Sequence, residues 1–238
     1  PDWVSEDGTV ILYNRDCLNV LPTLETGSVD AVVTDPPYGI NYQSAWRIDK
    51  AMWKPKLKGD SEPHLEWIPS TARAITSNGC LLCFCRWDVE RAFSDALCDS
   101  GLVIKSQVIW DRQSHGMGDL NGAFAPQHDN IIFATKGKFA FPGDRPYDVV
   151  SIMRIPAESL VHPTEKPVPL MSYLIRHTTI TGATILNPFM GSGTTGVACV
   201  QLGRHFIGVE IEEKYFRVAV KRITEAQMQL QFPLERAS

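Results

Sequence analysis

The sequence predicts an α/β fold, a single domain over residues 1–238 in which a mostly parallel, seven-stranded sheet carries helices on both faces. Two observations lead to this prediction. Short apolar runs rich in β-branched residues alternate with longer amphipathic segments along the chain, and such alternation is typical of parallel sheets. The 238 residues are 44% hydrophobic, which is enough for one sizeable core.

Each strand is predicted from a short apolar run bounded by turn or charged residues. These runs occupy residues 9–13, 29–34, 80–85, 102–110, 129–135, 184–186 and 205–210. Each helix is predicted from its apolar spacing and its end signals, such as Pro167 in a first turn and Gly203 after a last one. The expected helices occupy residues 17–24, 64–76, 87–99, 168–177, 194–202 and 212–228.

The cysteines do not indicate a metal site. Cys80, Cys83 and Cys85 share one apolar run after Gly79, and no second cysteine–histidine pair has zinc-finger spacing. We therefore interpret them as core residues in a reducing compartment. The chain also has no apolar run long enough to span a bilayer and no signal-peptide pattern, so we expect a soluble, cytoplasmic protein without a bound metal.

A glycine-rich turn near the C-terminus suggests a nucleoside-containing ligand. Gly191, Gly193 and Gly196 form a G-x-G-x-x-G pattern between a strand and a helix. The next strand ends on Glu210, about 20 residues after the turn, where an acid can accept hydrogen bonds from both ribose hydroxyls. No lysine follows the turn to meet terminal phosphates, which argues against a P-loop. A tight strand–helix turn without a ligand is the alternative.

A second motif follows the strand at residues 29–34. It runs directly into Asp35-Pro36-Pro37-Tyr38, and each proline holds the residue before it in an extended conformation. The Asp35 carboxylate and the Pro36 carbonyl are thereby two fixed acceptors beside an aromatic ring. This arrangement suits a planar ligand that carries an amino group, although a proline-stiffened exit turn is the alternative.

Together the two motifs resemble those of the amino-group DNA methyltransferases, which use S-adenosylmethionine and make N6-methyladenine or N4-methylcytosine. Here Asp-Pro-Pro-Tyr comes first and Phe-Met-Gly-Ser-Gly-Thr-Thr-Gly last, an order similar to that of the permuted β group. The resemblance extends over residues 9–222 and includes the segments 15–17, 127–133 and 162–167. It implies a Rossmann-like S-adenosylmethionine-dependent methyltransferase fold.

The resemblance also implies roles for individual residues. Asp35 and Pro36 would orient the amino group, while Tyr38 would stack on a flipped-out base. Glu210 would hold the ribose, and Lys166 would lie near the cofactor's carboxylate. The implied catalytic residues are Asp35, Pro36, Pro37 and Tyr38. The implied cofactor-binding residues are Asp16, Cys17, Asp35, Lys166, Phe189, Gly191, Ser192, Gly193, Thr194, Glu210 and Ile211.

The family association of Asp-Pro-Pro-Tyr favours N6-adenine in DNA as the target. An N4-cytosine enzyme is the main alternative, followed by an enzyme that methylates RNA or a free nucleotide and by an inactive DNA-binding module. No cysteine follows a proline, so the nucleophile expected of C5-cytosine enzymes is absent. Two departures from the family pattern, Asp129 and Glu165, are expected to lie outside the chemistry.

The charge distribution suggests where DNA would bind. The net charge of −4 is unusual for a DNA-binding protein, but cations cluster between Trp46 and Lys58. We interpret residues 39–60 as a clamp for duplex DNA, with a solvated linker as the alternative. Residues 111–127 and 136–161 are candidate DNA-recognition loops, and a homodimer is a candidate assembly. The implied clamp residues are Arg47, Lys50, Lys54, Lys56 and Lys58.

Overall fold

The computed structural model describes residues 1–39, 63–116, 121–160 and 165–231. Its strands are β1 Trp3–Val4, β2 Val10–Tyr13, β3 Val29–Thr34, β4 Ile75–Cys85, β5 Val103–Asp111, β6 His128–Thr135, β7 Val149–Ser151, β8 Thr184–Asn187 and β9 His205–Val209. Its helices are α1 Cys17–Val20, α2 Ile68–Ala74, α3 Glu90–Asp99, α4 Val168–Thr178, α5 Thr194–Gln201 and α6 Glu213–Gln231.

The strands form one sheet in the order β1-β2-β9-β8-β3-β4-β6-β5-β7. Strands β2, β9, β8, β3 and β4 are parallel to one another, whereas β6 runs antiparallel to both of its neighbours. The α/β class and the mostly parallel sheet are therefore confirmed. The count of seven strands was wrong for the described residues, because β1 and β7 are also present. Both are edge strands of two or three residues, too short to show a periodic pattern.

Helix α2 departs most from its predicted bounds. Pro69 occupies the first turn of a helix that begins at Ile68, where a missing backbone N–H costs nothing. The helix ends at Ala74, and residues from Ile75 onward are extended because Ile75 pairs with Val29 of β3. Residues 75 and 76, the last two of the predicted helix, therefore belong to β4.

The sheet has one hydrophobic cluster on each face. Successive residues of β3 point to opposite sides, so that Ala31 and Val33 belong to one cluster and Val32 to the other. Val29 belongs to the cluster of Val32, and the pairing of β3 with β4 is irregular between Val29 and Ala31. All six cysteines are free, and the three in β4 are buried. Among the described helices, none combines the length and hydropathy needed to cross a bilayer.

The predicted functional motifs meet at one edge of this sheet. Asp16 follows β2, Asp35 follows β3, the glycine turn follows β8 and Glu210 follows β9. Parallel strands place their carboxyl ends at a common edge, where open α/β sheets bind ligands. Two backbone hydrogen bonds tie this edge together, from Met190 N to Val209 O at 2.9 Å and from Glu210 N to Tyr13 O at 3.0 Å.

Candidate active site

A cavity of about 630 Å³ opens at the carboxyl edge of the sheet. This volume is in the usual range for small-molecule sites. It brings together the predicted catalytic residues and all but one of the predicted cofactor residues. Those that line it are Asp16, Cys17, Asp35, Pro36, Pro37, Tyr38, Lys166, Phe189, Gly191, Ser192, Thr194, Glu210 and Ile211.

Gly193 is the predicted cofactor residue that does not line the cavity. Its φ of 81° lies in the left-handed region, and a Cβ there would lie 2.7 Å from the Ala219 Cβ of α6. At Gly196, a Cβ would lie 2.4 Å from the Ile223 Cδ1 of the same helix. Two of the three pattern glycines therefore allow α5 to pack closely on α6. Only Gly191 presents its backbone to the cavity.

The glycine turn is held by buried side chains. The Nδ2 of Asn187 donates to Thr195 Oγ1 at 2.9 Å, while its Oδ1 accepts from Phe189 N at 3.0 Å. Phe189 also makes edge contacts with the rings of Trp67 and His64, at centroid distances of 5.7 and 5.8 Å. These contacts fix the backbone of the turn before any ligand binds. Neither Asn187 nor His64 had been singled out from the sequence.

Glu210 joins the glycine turn to the start of α6. Its Oε2 accepts from Gly191 N at 3.0 Å and its Oε1 accepts from Glu212 N at 2.8 Å. Burial raises the pKa of this carboxyl, and the two backbone hydrogen bonds oppose the rise only in part. Each oxygen has a second lone pair, so the carboxylate can accept hydroxyl hydrogen bonds while it holds the turn.

Asp16 and Cys17 line the cavity at the end of β2, the strand that pairs with β9. Asp16 caps α1, with its Oδ1 accepting from Leu18 N at 2.9 Å. Burial, together with the negative charge of Asp16, raises the pKa of the Cys17 thiol to about 12. The thiol therefore remains neutral at physiological pH and is unsuited to nucleophilic attack.

Asp35 has an internal donor on each carboxylate oxygen. The Tyr38 hydroxyl donates to Oδ1, and the Lys166 ammonium donates to Oδ2. Burial, and after it the charge of Asp35, raises the pKa of Tyr38 well above its usual value, so the phenol keeps its proton and acts as the donor. The resemblance suggested that Lys166 lies near a cofactor carboxylate. In the structure its ammonium donates a hydrogen bond to Asp35.

The two departures from the family pattern, Asp129 and Glu165, both lie in the cavity wall. Glu165 is almost fully buried, with its Oε1 2.7 Å from Arg222 Nη1. The same Nη1 donates to Ser192, at 2.8 Å to Oγ and 3.0 Å to the carbonyl oxygen. Asp129 lies 3.4 Å from Arg112 Nη1. Arg222 was missed because α6 reads simply as a surface helix in the sequence.

The other end of the cavity is more cationic. Arg86, Trp110, Arg112, Asp129 and Arg154 line it, which gives three arginines against one carboxylate. Arg112 is already engaged, because it donates to the Pro126 carbonyl at 2.5 Å as well as pairing with Asp129. This end is formed by β4, β5 and β6 and by the segment that follows β7.

The predicted DNA-binding loops are only partly described. Nearly all of the clamp segment 39–60, with its five cations, lies outside the described residues, as do residues 117–120 and residue 161 of the recognition segments. Within the segment 136–161, Lys136 donates to the carbonyls of Ala72 and Ile75, at 2.8 Å each. It therefore caps the end of α2, whereas Arg154 lines the cavity. Of the histidine, cysteine, aspartate and glutamate residues that the structure describes, no group could hold a metal ion.

The geometry agrees with comparisons to known proteins. The family model for DNA methylases of the N6/N4 type matches residues 29–221. The chain is 28% identical over 220 residues to the putative methylase YubD of Escherichia coli K12, covering 91% of each chain. It is 28% identical over 236 residues to the type II methyltransferase M.HpaI of Haemophilus parainfluenzae, covering 89% of this chain and 73% of the relative.

A solved structure extends this likeness to the cofactor. The complex of M1.HpyAVI with S-adenosylmethionine superposes with a TM-score of 0.67 at 28% identity, covering 90% of this chain and 99% of that one. Here the glycine turn, the buried acid Glu210 and the adjoining cavity supply what a nucleoside-bearing cofactor requires. The chain belongs to the N6/N4 DNA methylase family and is an S-adenosylmethionine-dependent DNA methyltransferase.

Proposed function

We propose that this enzyme methylates the N6 amino group of an adenine that has left the duplex and entered the cavity. The observation that supports this most directly is the position of Asp35 and Pro36. Both line the same cavity as the glycine turn and Glu210, so that the acceptors for an amino group and the cofactor-binding elements face a common space. Direct transfer requires this proximity, because the two reactants must be held in line.

On the cofactor side, we propose that Glu210 accepts hydrogen bonds from the ribose and that Asp16 accepts one from the adenine amine. The backbone at Gly191 and Ser192 would lie against the methionine portion, beside Phe189 and Thr194. S-adenosylmethionine supplies an electrophilic methyl group on a positively charged sulfur. The protein's task on this side is to bind and orient the cofactor. The glycine turn and Glu210 suit this task because internal hydrogen bonds already hold them in place.

On the base side, Asp35 and the Pro36 carbonyl would accept the two hydrogens of the target amino group. This draws the nitrogen lone pair out of conjugation and aims it at the methyl carbon. The N–C bond would form as the S–C bond breaks, which leaves S-adenosylhomocysteine, and the nitrogen would then lose its acidic proton to solvent, directly or by way of Asp35. Asp35 therefore needs to be a well-placed acceptor more than a strong base. Tyr38 would offer its ring face to the base while its hydroxyl holds Asp35.

DNA would approach from the cationic end of the cavity. Arg86 and Arg154 lie there, and the proposed clamp cations follow the Asp-Pro-Pro-Tyr motif in the sequence. Extrusion of the base is the general way in which enzymes reach an atom inside a duplex. A homodimer, which would add a second DNA-binding surface, remains a prediction.

The choice between adenine and cytosine depends on a family association. Asp-Pro-Pro-Tyr goes mainly with adenine, whereas two acceptors can hold the amino group of either base. N4-cytosine methylation is therefore the second candidate function. Labelled methyl transfer to unmethylated mixed-sequence duplex DNA, followed by digestion and nucleoside identification, tests the two directly. N6-methyladenine is the expected product, and N4-methylcytosine would keep the mechanism but change the substrate.

Parallel reactions with single-stranded DNA and with RNA test the nucleic acid. We expect duplex DNA to be the best substrate. A preference for RNA would contradict the proposed substrate while leaving the amino-transfer chemistry intact. Cofactor binding without transfer to any nucleic acid would contradict the catalytic role itself.

A further inference from the structure

Lys166 lies where its charge acts on Asp35. Its Nζ donates to Asp35 Oδ2, and it lies 4.9 Å from the centroid of the Phe84 ring. The two paired side chains are only 12% and 18% exposed. A cation over an aromatic face and beside a carboxylate is well stabilised when little water reaches it. The pair is therefore a fixed part of the site and differs from a mobile surface contact.

The backbone next to Lys166 is anchored independently of Asp35. The neighbouring Glu165 side chain is 3% exposed and pairs with Arg222 at 2.7 Å. Arg222 in turn holds Ser192 of the glycine turn. On the other side, Pro167 caps α4 with φ −70°, which its ring restricts. Lys166 thus lies between two anchored neighbours, and its ammonium is directed at Asp35.

Two donors define the orientation of the Asp35 carboxylate. Tyr38 engages Oδ1 from within the Asp-Pro-Pro-Tyr turn, and Lys166 engages Oδ2 from the start of α4. A carboxylate held at both oxygens cannot rotate freely about its Cβ–Cγ bond. Its remaining lone pairs are then fixed relative to the cavity, which an acceptor for a target amino group requires.

We propose that Lys166 is a positioning residue for methyl transfer that acts through Asp35, neutralising the charge of this carboxylate and fixing its orientation, and that the cofactor's carboxylate is not its main partner. This inference rests on the proposed function of Asp35. It differs from the family-derived expectation in one testable respect. A lysine on the cofactor's carboxylate would serve S-adenosylmethionine and S-adenosylhomocysteine equally, since both carry that group.

A lysine on Asp35 has a different consequence for the two ligands. In-line transfer places the charged sulfur a few ångströms from the amino nitrogen that Asp35 holds. With Lys166 present, the Asp35–Lys166 pair is neutral and shows little preference for a positive sulfur. Without Lys166, the lone carboxylate attracts the sulfonium of S-adenosylmethionine, whereas the uncharged sulfur of S-adenosylhomocysteine gains nothing.

The test measures the dissociation constants of both ligands by calorimetry at pH 8.5, for the wild type and Lys166→Met. We expect the preference for S-adenosylmethionine over S-adenosylhomocysteine to rise about fivefold or more in Lys166→Met. Lys166→Arg keeps a cation and should stay near the wild type. Lys105→Met, at an exposed lysine of β5, is the matched control and should change neither constant.

A double-mutant cycle in methyl transfer assigns the effect to Asp35. Lys166→Met should lower single-turnover methyl transfer in the wild-type background but cause little further loss in an Asp35→Asn background, where the carboxylate through which Lys166 acts is already absent. A further loss of the same size in both backgrounds would overturn the proposal. Thermal melting of each variant, with and without S-adenosylhomocysteine, separates a binding effect from loss of the fold.

Rescue by the conservative variant supplies a second measurement. Methyl transfer should fall in Lys166→Met and be retained in Lys166→Arg, whose guanidinium can still donate to the Asp35 carboxylate. Equal weakening of both ligands in Lys166→Met would show that Lys166 serves the cofactor's carboxylate. If the wild type transfers no methyl group to DNA, the proposed function fails, whereas the ligand ratio still decides the role of Lys166.

Discussion

The two ends of the cavity are built differently. At the cofactor end, Asn187, Glu210 and Arg222 hold the glycine turn through side-chain hydrogen bonds of 2.8–3.0 Å. At the cationic end, Arg86 pairs with the nearby surface residue Asp88, and Arg154 reaches the cavity from the segment after β7. The first end is preorganised by buried contacts, and the second is lined by longer, more exposed side chains.

This difference matches the ligands that each end would take. A small cofactor of constant shape is bound best by a rigid site, because little ordering entropy is lost on binding. DNA presents phosphates at variable positions, and flexible cations can follow them. Substitutions at the cofactor end should therefore alter turnover, stability or cofactor binding sharply, whereas substitutions at the cationic end should change DNA affinity gradually.

Asp35 stands between the two ends, and its substitution should have the largest effect. Asp35→Ala removes the acceptor for the target amino group, and we expect methyl transfer to fall by at least about 10³-fold, as for the loss of a key transition-state contact. Single-turnover transfer to duplex DNA measures this. Binding of S-adenosylhomocysteine should stay within a few-fold of the wild type, which serves as the folding control. Substantial retained activity would remove the proposed mechanism.

The Glu165–Arg222 pair tests whether the cofactor end depends on buried charge. Arg222→Met leaves the nearly fully buried Glu165 without this partner, and we expect the free energy of unfolding to fall by about 2–4 kcal/mol. Urea denaturation measures it. Arg217→Met on the same helix breaks an exposed pair with Glu213 and should cost less than about 1 kcal/mol. Addition of Glu165→Gln to Arg222→Met should restore part of the loss.

Glu210 offers a pH-dependent test of the same end. Because burial raises its pKa, the carboxylate becomes protonated at a higher pH than an ordinary glutamate and loses acceptor strength. Binding of S-adenosylhomocysteine should therefore weaken as the pH falls through that raised pKa. Glu210→Gln should bind about tenfold more weakly at neutral pH, as expected for a lost charged hydrogen bond, and should lack this pH-dependent component. An unchanged pH profile in Glu210→Gln would indicate that another group is responsible.

The raised pKa also predicts the sign of an effect on stability. A carboxyl whose pKa is higher in the folded than in the unfolded state favours folding when protonated. Its contribution to folding stability is complete below the pKa of the unfolded state and is lost as the pH rises through the pKa of the folded state. The ligand-free protein therefore bears a cost for charged Glu210 at neutral pH. Glu210→Gln should be less destabilising to the ligand-free fold than to cofactor binding, as thermal melts with and without ligand would show.

Local patterns were sufficient to predict much of the fold and the two central motifs. The strand before Asp35 and the glycine turn after β8 each lead directly into functional residues that are contiguous in the sequence. Both motifs can therefore be recognised from hydrophobic periodicity and turn composition. The edge strands β1 and β7 were missed because they have only two and three residues, and it is their pairing with a neighbouring strand that makes them strands. The helix predicted at residues 64–76 was too long, since pairing of Ile75 with Val29 is a long-range contact.

Contacts between distant segments could not be predicted in this way. Lys166 reaches Asp35 across 131 positions, and Arg222 reaches Ser192 across 30. Both depend on how α4 and α6 pack against the sheet, which no local pattern encodes. Lys136 illustrates the same limit, because it lies in the predicted recognition segment 136–161 whereas its ammonium binds backbone carbonyls at the end of α2.

Lys136 and Arg154 provide the smallest and most selective test, because both belong to the segment 136–161. Arg154→Gln removes a cation from the cavity wall, and we expect DNA affinity to fall by a few-fold. The plot of log association constant against log salt concentration should also become shallower, by about 1 in slope. Fluorescence anisotropy with duplex DNA at several salt concentrations measures both. S-adenosylhomocysteine binding should be unchanged.

Lys136→Gln should behave in the opposite way. It removes the hydrogen bonds that the ammonium donates to the end of α2, so we expect the free energy of unfolding to fall by about 1–2 kcal/mol. DNA affinity, measured well below the melting temperature, should stay the same. An equal loss of DNA affinity in both variants would mean that DNA responds to the total charge of the segment. Loss of DNA affinity in Arg154→Gln alone would assign DNA contact to the cation that lines the cavity. Position relative to the cavity, rather than charge in the sequence, would then determine which residues of this segment contact DNA.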